Sequence, residues 1–445
     1  LHRLSVKLLK GVRPMLRVLS WDDKSSIEGF LGQKNNGFIP EEVTETVKKI
    51  VRDVRDRGDS AVLEYSRRFD NVYDIKDFRV SSRALEKLAG EAEAGFIEAI
   101  GKSIDNIKKF HMNMADRDFN IFTDNGSVLG SRVTPIDKAA IYVPGGKASY
   151  PSTVVMCAVP AMIAGVREII ILTPPSDNGS INPYVAATAK LLGIDKVFRI
   201  GGAQGIAAAA FGTAAIPKVD KIVGPGNTYV AAAKREVYGF VDIDMIAGPS
   251  EIAVVADSSA NPGWVAADLL SQAEHDEMAR CFLITDSGNF AARVNTEIER
   301  QLGQMKRKGI ISRALENNSA VIVTDAIEQA ADIINRIAPE HLEIITENPF
   351  GVLKDIRNAG AIFLGAYSTE PIGDYIAGPS HVLPTYGTAA FFSPLSTRDF
   401  QKRSSLIYYS KEDLAAYGPA AIKIAEAEGL EAHANALKVR LQNDR

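Results

Sequence analysis

The chain has 445 residues, 46% hydrophobic and 24% charged, with a formal net charge of −4. That is an ordinary globular composition, long enough for two or more cores, and without the excess of Lys and Arg that a nucleic-acid surface needs. No apolar run approaches the ~18 residues required to span a bilayer, so neither nucleic acid nor membrane is an expected partner.

The start, Leu1-His2-Arg3-Leu4-Ser5-Val6, lacks the apolar stretch and cleavage site of a secretory signal and has no initiator Met. It reads as a trimmed cytoplasmic chain, or a plastid stromal one if a plant transit peptide has been removed. Residues 1–22 form an N-terminal segment. Residues 41–55 then place Val43, Val47, Ile50, Val51 and Val54 on one helical stripe, and 84–112 is a long amphipathic stretch. Residues 126–135 resemble a short hairpin region.

From Lys138 the pattern alternates. Apolar strands at 139–143, 168–173, 196–200 and 221–223 are separated by helical patterns and end in Pro144-Gly145-Gly146, Pro174-Pro175, Gly201-Gly202 and Gly224-Pro225-Gly226-Asn227. Such βαβ alternation predicts a parallel sheet covered on both faces over 136–246. Further strands are expected at 252–256, 281–285, 320–324, 342–345 and 361–364. They predict a second, discontinuous unit from 23–135 and 247–395, followed by a helical tail over 396–445. The expected fold is α/β, with two incomplete Rossmann-like parallel-sheet domains, a helical N-terminal segment and a helical C-terminal tail. Ile246-Ala247-Gly248-Pro249-Ser250 recurs as Ile376-Ala377-Gly378-Pro379-Ser380, which suggests similar turn chemistry at two strand ends.

Four of the six histidines have acid or amide neighbours. His275 follows Gln272 by three residues on a helical pattern, so both share a face. With Asp374 and His433 they offer one anion and three neutral ligands, a set zinc accepts. Taken singly, each also reads as a hydrogen-bonded surface or capping residue. Glu340-His341 behind Pro339 suits a reaction with two proton acceptors, or else a helix N-terminus. Gly201-Gly202-Ala203-Gln204-Gly205 opens a helix after a strand, but Ile200 breaks the dinucleotide fingerprint. Three Gly-rich turns in one unit favour a nucleotide-like ligand, although many are simply tight turns. Cys157 and Cys281 sit in apolar runs and read as buried thiols.

Taken together, Tyr142-Val143-Pro144-Gly145-Gly146, Gly201-Gly202-Ala203-Gln204, Gly224-Pro225-Gly226-Asn227 and Ala247-Gly248-Pro249-Ser250-Glu251 resemble histidinol dehydrogenases. So do Leu270-Ser271-Gln272-Ala273-Glu274-His275, Ala338-Pro339-Glu340-His341-Leu342-Glu343, Gly378-Pro379-Ser380-His381 and Glu428-Gly429-Leu430-Glu431-Ala432-His433. The resemblance runs from about Ile39 to Leu441.

It implies oxidation of L-histidinol through the aldehyde to L-histidine, the last step of histidine biosynthesis, using two NAD and one water. It implies one zinc per subunit on Gln272, His275, Asp374 and His433, with the metal also taking substrate nitrogens. Glu340 and His341 match proton acceptors, while Ser250, His381 and Glu428 match substrate contacts, and Tyr142, Gln204 and Asn227 match NAD contacts. A homodimer is implied in which the C-terminal tail crosses over, so that Glu428 and His433 complete the partner's site.

Three rivals remain. A sister dehydrogenase acting on a sulfonated propanediol would fit the same zinc and base motifs, but Glu428 suits an ammonium group better than a sulfonate. A non-catalytic metal- or nucleotide-binding protein would not need paired bases. A thiol-dependent aldehyde dehydrogenase would need a cysteine in a less apolar setting.

Overall fold

The computed structural model describes residues 15–32, 39–145, 150–176 and 179–442. The start of the chain through 14 and Gly146 lie outside them.

Strand β1 (Arg17–Ser20) and helix α1 (Lys24–Gly32) open the chain, followed by helices α2 (Glu41–Arg57), α3 (Asp59–Phe69), α4 (Ser82–Ala89) and α5 (Ala94–His111). Strands β2 (Phe119–Phe122) and β3 (Val128–Pro135) form a hairpin that begins earlier than the 126–135 expected, a stretch that is mostly the single strand β3. A regular alternation follows: β4 (Lys138–Tyr142), α6 (Pro151–Ala164), β5 (Glu168–Thr173), α7 (Pro183–Leu191), β6 (Val197–Arg199), α8 (Gly202–Phe211), β7 (Lys221–Val223), α9 (Thr228–Val237) and β8 (Asp242–Ile243). These strands make a parallel sheet in the order β6-β5-β4-β7-β8.

The second sheet uses β9 (Glu251–Ala256), helix α10 (Pro262–Ala273), β10 (Arg280–Thr285), α11 (Gly288–Leu302), α12 (Lys308–Asn318), β11 (Ala320–Val323), α13 (Ala330–Ile337), β12 (His341–Ile345), α14 (Pro349–Leu353), β13 (Ala361–Leu364) and α15 (Glu370–Tyr375). Its order is β1-β11-β10-β9-β12-β13, all parallel. Strand β14 (Gln401–Tyr408) then pairs antiparallel with β3, and helices α16 (Lys411–Ala427) and α17 (Glu431–Gln442) end the described chain. The protein is therefore an α/β molecule built on two parallel sheets, with helices on both faces because parallel strands need crossover connections.

The helices assigned from the sequence to the second unit cover the first sheet instead. Val47, Ile50, Val54 and Val62 of α2 and α3 share one core with Ala140, Ile170 and Phe198 of the five-stranded sheet. Helix α5 packs on α6 through Ile104, Ile107, Val155 and Val159. An apolar stripe dictates that a helix buries one face; it does not say against which sheet. Conversely, β1, drawn from the N-terminal segment, forms the edge of the six-stranded sheet.

The tail also differs from the helical expectation. Ser404-Ser405-Leu406-Ile407-Tyr408 has no helical stripe and carries residues that favour strands. It extends the hairpin into a three-stranded sheet.

The first copy of the repeated pentapeptide does sit at a strand end, leading directly into β9; the second follows α15 instead.

Candidate active site and cofactor surface

The chain runs from β9 outward to β10 and β11, then returns to the other side of β9 with β12 and β13. This reversal makes β9 and β12 direct neighbours, whose register pairs Ile252 with His341. Glu340 and His341 stand at the amino end of β12, so the helix-start reading of Pro339-Glu340 gives way to a strand start. Ligands in such sheets usually gather at carboxyl ends; in this sheet the convergent polar groups lie at the amino ends.

One residue of β9 brackets both candidate bases. The Glu251 backbone N–H donates to Glu340 Oε2 at 3.0 Å, and its carbonyl lies 3.1 Å from His341 Nδ1. A carbonyl only accepts, so Nδ1 carries a proton, and in the neutral form of the ring Nε2 is the nitrogen with the lone pair. That Nε2 is buried without a hydrogen-bond partner, 3.7 Å from Asp374 Oδ1. The Glu251 carboxylate is itself held by Arg280 Nη1 at 3.1 Å and by the Tyr386 N–H at 3.0 Å. Burial raises the Glu340 pKa to about 8. For His341, burial acts downward, but the Glu340 and Asp374 carboxylates outweigh it and hold the pKa up, at about 10.

Glu370 and Asp374 share a face of α15, four residues apart. Their oxygens and a His341 ring nitrogen lie within 4.8 Å of one another, the metal-capable group found among the described His, Cys, Asp and Glu residues. Burial raises Glu370 to about 7. The Ser271 hydroxyl of α10 donates to Glu370 Oε2 at 3.2 Å, bringing the next residue, Gln272, to the same corner. The Gln272 Oε1 is buried with no partner. His275 turns Nδ1 toward the carbonyls of Ser271 and Gln272 at 3.1 and 3.3 Å, which frees Nε2. An orphaned amide oxygen, a carboxylate and an imidazole with a pinned tautomer fit a divalent metal with oxygen and nitrogen ligands. His381 closes the corner: Nδ1 lies 3.2 Å from the Asp374 carbonyl and Nε2 3.5 Å from Thr153 Oγ1 of α6. Burial lowers its pKa. Ser250 sits partly buried immediately before Glu251.

The second cluster lies at the carboxyl ends of the five-stranded sheet, where β4 and β7 flank that sheet's own reversal. Gly224 has φ +110, and a Cβ there would lie 2.2 Å from the Tyr142 carbonyl, so only glycine lets this turn pass. The Gly202 N–H donates to the buried Tyr142 hydroxyl at 3.1 Å. Gln204 is buried and donates through Nε2 to Asp70 Oδ2 at 2.9 Å. Exposed Asn227 caps α9 through Val230 N–H at 3.1 Å. Beneath, the Gly224 N–H donates to Asp244 Oδ2 at 2.7 Å, and Asp244 pairs with buried Lys234.

Residues 34–441 match the family model described as Histidinol dehydrogenase. The chain belongs to the histidinol dehydrogenase family. A histidinol dehydrogenase of Clostridium acetobutylicum is 52% identical over 90% of this chain and 93% of its own. One from Listeria innocua is 48% identical over 93% and 96%. The crystal structure of histidinol dehydrogenase from Elizabethkingia anophelis superposes with TM-score 0.91 at 38% identity, covering 97% of this chain and 99% of that one. As a member of this family the chain is an oxidoreductase, and the fold is the family's.

The single chain brings Glu340, His341, Asp374 and His381 to one corner, with Ser250 adjoining Glu251 and Gln272 adjoining Ser271 in the chain. His275 is exposed at the end of α10 and lies outside the metal-capable group. Tyr142 and Gln204 meet at Gly202, while Asn227 caps α9. Glu428 and His433 stand apart. Both are exposed at the α16–α17 end, and neither belongs to the metal-capable group. Cys157 and Cys281 are buried, and burial raises both thiols, Cys281 to about 12. Sequence reasoning gave no role to Glu251, Glu370 or Asp70. Glu370 was findable from its four-residue spacing to Asp374; Asp70, 131 positions before Gly201, carried no local signal. Among the described residues no helix is long and apolar enough to cross a membrane.

Proposed function

We propose that this chain oxidises L-histidinol, through the aldehyde, to L-histidine with two equivalents of NAD. The observation that carries this reading is the pair of buried bases, Glu340 and His341, both oriented by the Glu251 backbone. One base suffices for an alcohol oxidation; a four-electron oxidation also needs a base for water.

His341 Nε2 takes the hydroxyl proton as hydride leaves the carbinol carbon. Glu340 then takes a proton from the water that adds to the aldehyde, giving a hydrate whose carbon can release the second hydride. Two NAD molecules, bound one after the other across the Tyr142, Gln204 and Asn227 surface, would each accept one hydride. Gln272, His275 and Asp374, with His433 of the partner subunit, would hold zinc, which would grip the substrate's imidazole and amino nitrogens and offset the Asp374 charge that otherwise keeps His341 protonated. Ser250 and His381 would line the substrate pocket, and the partner's Glu428 would meet its ammonium group.

A tail that crosses between two copies is supported by the apolar surface left open on one chain. Phe122, Ile407 and Tyr408 of the three-stranded sheet are 72%, 70% and 62% exposed, as are Tyr417 and Ile424 of α16 at 61% each. The pair α16–α17 makes most of its packing with itself.

A substrate panel tests the reading. Purified zinc-loaded protein should reduce NAD with L-histidinol and not with 2,3-dihydroxypropanesulfonate. The reverse preference would move it to the sister activity.

A further inference from the structure

The glycine turn after β6 is held from below by a residue far away in sequence. Asp70, at the end of α3, accepts from the Gly201 N–H at 3.1 Å and from Gln204 Nε2 at 2.9 Å through the same oxygen, Oδ2. The next N–H, that of Gly202, is taken by the Tyr142 hydroxyl. Such N–H groups are what a Gly-rich turn ordinarily offers to a pyrophosphate. Here the first two are spent inside the protein, and the following turn spends the Gly224 N–H on Asp244 in the same manner.

A carboxylate only accepts, so Asp70 obliges the Gln204 amide to face it with NH2. The opposite end, Oε1, therefore lies over Gly202, where a Cβ would come within 2.7 Å of it. Gly202 has φ +59 and no side chain, so no Cβ crowds that oxygen.

We propose that Asp70 is a positioning residue of the cofactor site, which fixes the amide of Gln204 so that an acceptor oxygen, not a donor nitrogen, meets the dinucleotide. The matching ligand group is a donor, a ribose hydroxyl or a carboxamide NH2. This rests on reading that sheet end as the NAD surface.

Steady-state kinetics of the zinc-loaded enzyme test it. Asp70→Asn offers a donor as well as an acceptor and lets the amide turn over. The KM for NAD should rise about tenfold, while kcat at saturating NAD, the KM for histidinol and zinc content stay within about twofold. In a Gln204→Met background, Asp70→Asn should add less than about twofold, because its effect passes through Gln204. Additive losses, or an unchanged KM for NAD in Asp70→Asn, would overturn the role of Asp70. A Gln204→Met enzyme with unchanged KM for NAD would instead overturn the cofactor-surface reading itself. Should Asp70→Asn not fold, Asp70→Glu retains an acceptor-only group. It should keep the KM for NAD within about threefold, and a tenfold rise there would count against the proposal.

Discussion

His341 Nδ1 lies 3.1 Å from the carbonyl oxygen of Glu251, on the neighbouring strand β9. That contact assigns the imidazole its tautomer and aims Nε2 at the Asp374 corner. The strand backbone thus orients the imidazole, with the Glu340 carboxylate 3.9 Å from Nδ1.

Replacing His341 with Asn keeps a donor near that carbonyl and removes the basic nitrogen. The first oxidation, followed with histidinol, should slow by about 10²–10⁴-fold, while oxidation of supplied aldehyde suffers less. Alcohol oxidation at an undiminished rate would take the proton-acceptor role from His341.

Glu340→Gln should weigh on the second half-reaction. Burial raises the Glu340 pKa to about 8, so its basic form accumulates as pH rises through 8, and aldehyde oxidation should climb with it. The glutamine variant should be slow and flat over that range. The same shift has a stability consequence: the folded state holds this proton when the unfolded chain has lost it, so stability falls as pH climbs from about 4.5 towards 8. Glu340→Gln should remove that slope, as measured by urea denaturation at several pH values.

His111 gives an opposite dependence. Both its ring nitrogens are buried without partners, and burial lowers its pKa from 6.5 to about 4. The unfolded chain binds a proton there below 6.5 that the folded chain refuses, so stability is lost as pH falls from 6.5 towards 4. The loss at the acid end should be about 3 kcal/mol. His111→Leu should flatten this acid limb; an identical limb in the variant would place the sensitivity elsewhere.

The tail prediction concerns assembly. His433→Ala should weaken zinc binding at least about tenfold. Truncation after Asp399 should abolish it and yield monomers by sedimentation. Mixing and reannealing inactive His433→Ala with inactive Asp374→Ala chains should restore activity, since a mixed dimer keeps one intact site. Stoichiometric zinc in the truncated protein would remove His433 from the metal shell.

Much of this was legible from residues. The βαβ punctuation at Gly201-Gly202 and Gly224-Pro225-Gly226-Asn227 announced a parallel sheet, because only short turns separate the strand and helix periods. The Glu340-His341 pair stood out as a candidate pair of bases before any geometry. What stayed hidden is what periodicity cannot encode. The stripe of Val47, Ile50 and Val54 did not tell which sheet it covers, and the exposed strand 401–408 had no alternation of burial to reveal it. Glu251 was hidden because its backbone, not its side chain, touches both bases. His433 was a ligand candidate on residue chemistry, and Glu428 a substrate contact only by resemblance; within one chain both face solvent.

The stoichiometry of turnover bears most directly on the four-electron reading. Zinc-loaded protein given limiting L-histidinol and excess NAD should form two NADH per histidinol consumed, release histidine, and fall silent after chelation until zinc is returned. One NADH per histidinol with aldehyde accumulating, or full activity after the metal is stripped, would contradict the two-base, zinc-positioned oxidation drawn here.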